Sequence, residues 1–296
     1  MTEKITIVTH SSSFHTDDVF AVATLLLVLG DGVDVSVVRS RDMDIIKKGD
    51  YVVDVGGIYD PKINRFDHHQ EGGAGVRPNS VPYAAFGLVW KTFGEKLVGS
   101  FAGADRIDKL IVQPIDAGDN GIQFLETKIT DLHPLDIGLL TSIFYPTWKE
   151  EDGVDGVFIK LVSYAKVIMS RAITSVRDEL EAEQYVLDSY NKAEDKRLIE
   201  TKDGYPWSEV LSKFPEPLFV IYENKDKNWS IKNIRSDLFS FEPRKKLPES
   251  WAGKRNEELE KITGVTGSIF CHSARFLVVA KTKEAILKLA KIALES

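Results

Sequence analysis

The stretch Lys4-Ile5-Thr6-Ile7-Val8-Thr9-His10, continued through Thr16-Asp17-Asp18-Val19-Phe20 to Leu29, decides the fold. Residues 4–9 are rich in β-branched side chains and predict a strand ending at His10. Thr16 suits a helix N-cap, and Asp17 and Asp18 then fall in the first turn, where carboxylates complement the helix dipole. Residues 19–29 are apolar nearly all round, so this helix is expected to be buried. Gly30-Asp31-Gly32 stops it. Residues 33–38 and 51–55 read as second and third strands, and residues 65–68 as a short fourth. Apolar strands alternating with helices predict an α/β fold with a doubly wound parallel sheet. Such sheets bind ligands at the carboxyl ends of their strands. His10, Asp54 and Asp67-His68-His69 all fall there.

Helical patterns follow at 84–97, 104–111, 135–143 and 157 to about 191, the last as one long helix or two shorter ones. Lys202-Asp203-Gly204-Tyr205-Pro206 marks a break. Beyond it, residues 218–222, 229–234, 267–271 and 276–280 read as strands. Residues 282–294 form an amphipathic helix whose stripe is Ala285, Ile286, Leu289, Ala290 and Ala293. Two domains are expected. Residues 1–199 make a metal-binding catalytic domain with a helical connector, and residues 200–296 a smaller α+β domain.

The 296 residues are 43% hydrophobic and 28% charged, which suits a globular chain with an ample core. A net charge of −7 argues against tight non-specific binding to duplex DNA. It leaves room for a nuclease whose positive charge comes from metal ions and a few placed Arg and Lys. One cysteine, Cys271, excludes an internal disulfide and Cys-rich zinc sites. It fits an intracellular, reducing compartment, with nucleus, cytoplasm and mitochondrion all open. No secretory signal or clear presequence is visible, and residues 19–29 are too short to span a bilayer, so no membrane association is expected.

The chemistry concentrates in four clusters within the first 121 residues: His10-to-Asp18, Asp54, Asp67-His68-His69 and Asp116. Singly, each has an ordinary explanation: a satisfied polar residue, a helix-start carboxylate, a turn. Together at one predicted sheet edge they point to metal. Imidazole with carboxylate suits Mn²⁺, Zn²⁺, Fe²⁺ or Co²⁺ better than Ca²⁺. The candidate ligands are His10, His15, Asp17, Asp54, His68 and Asp116, enough for two divalent metal ions if Asp54 bridges them. Arg39 and Arg41 follow the second strand and are candidates for binding phosphate. So are His272, Ser273 and Arg275, because Arg suits bidentate phosphate contacts. Arg244-Lys245-Lys246 reads as a solvated loop and Cys271 as a core residue.

Thr9-His10-Ser11 with Phe14-His15-Thr16-Asp17-Asp18, Arg65-Phe66-Asp67-His68-His69-Gln70 and Ile115-Asp116-Ala117-Gly118-Asp119-Asn120-Gly121 resemble the motifs of the DHH phosphoesterase superfamily. With Pro206-Trp207, Leu247-Pro248-Glu249-Ser250-Trp251-Ala252-Gly253 and Gly267-Ser268-Ile269-Phe270-Cys271-His272, the chain is similar over nearly its whole length to the melanocyte-proliferating-gene-one (UPF-type) family. The resemblance implies a DHH phosphoesterase-like domain with a dinuclear Mn²⁺ or Mg²⁺ centre and a C-terminal domain that closes over substrate. It implies that His10, His15 and Asp54 hold one ion, and Asp17, Asp54, His68 and Asp116 the other. His69 would face the scissile phosphate and Asp67 would orient a neighbouring His, making these two the catalytic residues. Thr16 stands where relatives often carry Cys, and Asp18 where they often carry Glu. Residues 276–280, Phe-Leu-Val-Val-Ala, replace a Gly-rich step.

The family has been described both as a metal-dependent protein hydrolase and as a 3′-to-5′ RNA exonuclease of nucleus and mitochondria. The expected activity is therefore hydrolysis of single-stranded RNA from its 3′ end, with a possible homo-oligomer as the working form. The alternatives are a phosphatase or pyrophosphatase acting on small phosphate substrates, a protein hydrolase, and a non-catalytic metal-binding regulator.

Overall fold

The computed structural model describes residues 4–150, 153–202, 204–205, 207–236 and 242–296. The chain divides into two units, Met1–Arg177 and Asp178–Ser296. This division falls N-terminal to the expected boundary at 199/200. Asp203 and Pro206, in the predicted break, lie outside the described residues.

The first unit is built on strands β1 (Ile5–Thr9), β2 (Val35–Arg39), β3 (Tyr51–Val53), β4 (Tyr59–Asp60) and β5 (Arg65–Phe66), ordered β2-β1-β3-β5-β4. β2, β1, β3 and β5 pair in parallel; β4 is an antiparallel edge. Helices α1 (Thr16–Leu29) and α2 (Met43–Lys48) make the crossovers. Alternation along the strands dresses both faces. Val8, Val38 and Val52 pack with Ile46 of α2. On the opposite face, the rings of Tyr51 and Phe66 lie 6.4 and 5.8 Å from Phe93 of α3 (Ala85–Val98). The third strand is shorter than expected because Asp54 turns the backbone into the left-handed region, at φ 56°.

The helix expected at 104–111 is part of a longer run: α4 (Phe101–Ile107), a π-helical turn (Asp108–Val112) and α5 (Gln113–Asp119). α6 (Ile137–Ile143) follows, and then α7 (Val154–Lys192), a single 39-residue helix. Among the described residues, no helix is long and apolar enough to cross a membrane.

The second unit carries β6 (Leu198–Glu200), α8 (Ser208–Leu211), β7 (Phe219–Glu223), β8 (Trp229–Asn233), α9 (Asn256–Thr263), β9 (Ser268–Cys271), β10 (Leu277–Ala280) and α10 (Lys283–Glu295). The sheet order is β6-β7-β8-β10-β9, antiparallel except for β6 with β7. β6 has only three residues, too few for a visible alternation, and sequence reading did not foresee it. One face packs Phe219, Ile221, Ile231 and Val278 against Ile286 and Leu289 of α10, with Leu247 and Trp251 closing the cluster. The other packs Ile199 and Val220 against Val186 of α7 and Val210 and Leu211 of α8.

Trp251 is 2% exposed and among the largest buried side chains. Truncating a buried Trp removes its transfer free energy and leaves a cavity. Trp251→Ala is expected to destabilise the second unit by about 3–5 kcal/mol in urea unfolding. A loss under about 1 kcal/mol would show that the site collapses around the gap.

Candidate metal centre

The parallel strands deliver the site residues from their carboxyl ends. His10 follows β1 and is 1% exposed; Asp54 follows β3 and is 2% exposed. His68 and His69 follow β5. The N-terminus of α1 points into the same region, but His15, not Thr16, is its N-cap. The reason is Asp18, whose Oδ1 accepts the His15 backbone N–H at 3.0 Å. Its other oxygen stands 3.1 Å from His10 Nε2.

Asp54 lies at the hub. One oxygen is 3.2 Å from His10 Nε2, and the other is 3.3 Å from His68 Nε2 and 3.4 Å from His69 Nδ1. His68 Nε2 also stands 3.2 Å from Asp119 Oδ2. Among the described residues, three groups place donor atoms within 4.8 Å of one another: His10, His15 and Asp54; Asp54, His68 and His69; and His15, Asp17 and Asp119. Asp67 is buried behind them. Its Oδ2 accepts the Gly57 N–H at 2.6 Å, and its Oδ1 lies 2.7 Å from His69 Nδ1.

The electrostatics are strained without a cation. Burial, reinforced by Asp54, Asp119 and Asp18, holds Asp17 well above the usual carboxylate range. Burial also raises Asp18, despite its His10 partner. It would raise Asp54 too, but bonds from His10 and His68 bring that carboxyl down to about 2. Burial works to lower His10, yet Asp18 and Asp54 outweigh it and push the imidazole up to about 10. His68 moves upward for the same reason. His10 Nε2, Asp17 Oδ1, Asp18 Oδ2, Asp54 Oδ1 and His68 Nε2 lie buried without a well-directed hydrogen bond. A buried unsatisfied polar atom costs roughly 1–3 kcal/mol, and charged atoms more. Divalent cations bound by imidazole and carboxylate would satisfy the atoms of His10, Asp17, Asp54 and His68, so the residues present fit such ions.

Asp116, expected as a ligand, is not among the residues whose donor atoms gather in these groups. It is fully buried and faces the other way. Arg77 Nη1 lies 2.7 Å from its Oδ2, and the Gly87 N–H donates to its Oδ1 at 3.0 Å. Arg77 simultaneously grips Asp108, through Nη2 at 2.8 Å and Nε at 3.1 Å. Burial raises the Asp116 carboxyl to about 7 against the pull of Arg77. A Cβ on Gly87 would lie 1.8 Å from Asp116 Oδ2, so only glycine allows this approach. The residue that reaches the cluster is Asp119, three positions later on the same helix. Sequence reading missed Asp119 and treated Asp18 only as a helix-start residue. The i, i+3 spacing of Asp116 and Asp119 was the available signal, but it cannot say which one faces the site.

Arg39 also departs from expectation. Its side chain is 3% exposed. It pairs with Asp155, donates to the Ser12 and Ser13 carbonyls at 3.1 and 2.8 Å, and lies over the rings of Phe14 and Phe158. It therefore fastens the His10–His15 loop to the start of α7 instead of facing solvent phosphate. Arg41 Nη2 stands 3.2 Å from His10 Nδ1.

In the second unit, His272, Ser273 and Arg275 occupy the turn between β9 and β10. The Arg275 N–H donates to the His272 carbonyl at 2.8 Å, and Arg275 adopts φ 60°. Arg244 is not a solvated loop residue, since its guanidinium donates to the carbonyls of Phe214, Pro217 and Ser212. Cys271 is fully buried, with its thiol pushed up to about 11 by burial, and has no nucleophilic character.

The fold is mixed α/β, with acidic and imidazole groups that could hold a metal ion at the carboxyl ends of its parallel strands. The chain belongs to the uncharacterised protein family UPF0160, whose sequence model matches residues 6–294. It is similar to the human protein named MYG1 exonuclease, 29% identical over 325 residues, covering 97% of this chain and 85% of that protein. The MYG1 protein of Schizosaccharomyces pombe is 29% identical, covering 100% of this chain and 99% of its own length. That of Saccharomyces cerevisiae is 30% identical, covering 97% and 95%. A solved exopolyphosphatase-related protein from Bacteroides fragilis aligns with 99% of this chain and 92% of its own. At 12% identity and a TM-score of 0.25, that likeness is too slight to bear on function.

Two outcomes follow from the geometry. Asp119→Ala is expected to weaken Mn²⁺ binding by about 10-fold or more, measured by calorimetric titration. Asp116→Asn should lower thermal stability and keep the Mn²⁺ stoichiometry. The reverse pattern would restore Asp116 as the ligand.

The second outcome concerns pH. With its pKa raised from 6.5 to about 10, His10 stabilises the ion-free fold fully below pH 6.5 and loses that contribution as pH climbs through 10. Asp54, depressed from 3.8 to about 2, contributes above pH 3.8 and loses its contribution as pH falls through 2. A cation at His10 must displace the imidazole proton. Apparent Mn²⁺ affinity is therefore expected to rise from pH 6.5 toward 10 with proton release, read by calorimetry in buffers of different ionisation enthalpy. Affinity independent of pH, with no proton released, would remove His10 from the ligand set.

Proposed function

We propose that the chain is a phosphodiesterase of the DHH type that works with two divalent ions, manganese or magnesium, and removes nucleotides from the 3′ end of single-stranded RNA. The observation that carries this reading is the convergence of buried, unsatisfied His and Asp donor atoms at the carboxyl ends of the first sheet. The exonuclease name carried by the human relative agrees with it. His10, His15 and Asp54 would hold one ion; Asp17, Asp54, His68 and Asp119 would hold the other. When bound, such a pair supplies an activated water and stabilises the entering and leaving oxygens of an in-line displacement.

The remaining residues act directly. His69 has a side chain 59% exposed, with Nδ1 held by Asp67, so Nε2 is the atom available to a phosphate oxygen. Asp67 fixes that ring by accepting at both oxygens, from Gly57 and from His69. No protein nucleophile is required, which leaves the buried Cys271 without a catalytic part.

An end-labelled single-stranded RNA, incubated with Mn²⁺, Mg²⁺ or EDTA, tests the reading. The wild type is expected to yield a metal-dependent ladder of mononucleotides from the 3′ end. His68→Ala should lower the rate by about 100-fold or more. Folded, metal-loaded wild type that leaves RNA intact and releases phosphate from pyrophosphate would replace this reading with a small-phosphate hydrolase.

A further inference from the structure

Beside the metal-binding groups, within the first unit, lies a cavity of about 1000 Å³. That is the upper end of the roughly 300–1,000 Å³ typical of small-molecule pockets. His15, His68, His69 and Asp119 form one wall. A phosphate group held at that wall would occupy only a corner.

The rest of the lining is largely apolar. It includes Phe124, Leu125, Ile137, Leu139 and Tyr145, with the buried Phe14 behind Tyr145. Phe124 is 47% exposed, Leu125 39% and Leu139 42%. Covering such area is worth about 25 cal/mol per Å² to an apolar occupant. Phe14 and Tyr145 stack at 4.1 Å and 13°. The Tyr145 hydroxyl both donates to the Phe14 carbonyl and accepts the Phe14 N–H. The aromatic wall is thus pinned to the loop that carries His10 and His15.

Charge narrows the occupant further. Among the described residues, no Lys or Arg lines this cavity, and the charged ones other than His are Asp119 and Asp136. A pyrophosphate or polyphosphate tail extending from the cluster would meet apolar and acidic walls with no cation to receive it. A flat, uncharged heteroaromatic group suits this lining, which also includes the polar residues Asn120, Thr141 and Ser142. Stacking on apolar and aromatic faces holds any base and is tolerant of sequence.

The geometry points to this cavity as the seat of the base of the nucleotide whose phosphate lies at the metal-binding cluster. The inference rests on the phosphodiesterase reading and deepens it. The substrate unit is a whole nucleotide, selected by its base face against bare phosphate, with little preference among the four bases.

The test compares ligands by calorimetry on the full chain with Mn²⁺: AMP and UMP against ribose 5-phosphate. The nucleotides are expected to bind about 10-fold tighter or more, with AMP and UMP within a few-fold of each other. Leu139→Trp fills the cavity and should remove the advantage of the base. It should leave ribose 5-phosphate affinity and Mn²⁺ stoichiometry unchanged. Phe124→Ala, at an exposed position, should reduce that advantage several-fold and serves if the first variant fails to fold. Equal affinities for nucleotide and ribose 5-phosphate in the wild type, no binding of either, or a base advantage that survives in a folded variant would each overturn the inference. RNA cleavage with equal affinities would leave the phosphodiesterase reading standing and sink the base pocket. Base-dependent affinity without cleavage of any phosphodiester would do the opposite.

Discussion

Three carboxylates that water does not reach, Asp17, Asp18 and Asp54, share a small volume with the imidazoles of His10 and His68. Like charges at this separation oppose one another, and burial penalises each in its ionised form. The first unit is arranged around containing them. β1, β3 and β5 bring their carboxyl ends together, α1 presents its N-terminus, and Asp54 takes a left-handed backbone conformation to aim its oxygens at both histidines. Local backbone strain of this kind persists where the surroundings over-determine it, and it clusters at functional sites. Backbone donors share the load: His15 N–H on Asp18, Ala85 N–H on Asp17 and Gly57 N–H on Asp67. What they leave unsatisfied is directed inward, where a cation would sit.

A second set of charges supports the first without touching it. Arg77 bridges Asp108 and Asp116, tying the π-helical turn to α5 beneath Gly87. Such turns are frequent at functional sites because one extra residue rotates everything that follows. Here the rotation buries Asp116 against α3 and turns Asp119 toward His68. Arg39 acts comparably on the other flank, joining the loop after β1 to the first turn of α7 through Asp155. Both arginines are almost fully buried and multiply bonded, which makes them fixed struts in the scaffold. The fixed-fork geometry of guanidinium suits that task better than an ammonium would.

The second unit follows simpler rules. Its sheet is apolar on both faces, with α10 on one and α8 and the end of α7 on the other. Its candidate substrate-binding residues lie on the β9–β10 turn. There the His272 ring lies 4.3 Å from Phe276, and Asn233 Nδ2 ties the Arg275 and Lys245 carbonyls to β8.

By itself the sequence determined the parallel strands, the buried α1, the helical character of the α7 region and the amphipathic α10, because those elements are written in local periodicity and in β-branched or apolar runs; that α7 is one unbroken helix came from the structure. It also determined the motifs that meet at the strand ends, since residues placed just past parallel strands converge whatever the loops do. It could not decide between Asp116 and Asp119. Both lie on one short helix, and the face each presents depends on helix phase, which the π-helical turn and the Gly87 contact set. Nor could it assign Arg39 or Asp18. A guanidinium after a strand reads the same whether it meets solvent phosphate or two loop carbonyls, and a carboxylate in a first turn reads the same whether or not a histidine stands 3.1 Å away. Those choices belong to tertiary structure, because burial, charge pairing and orientation come from residues far apart in the chain.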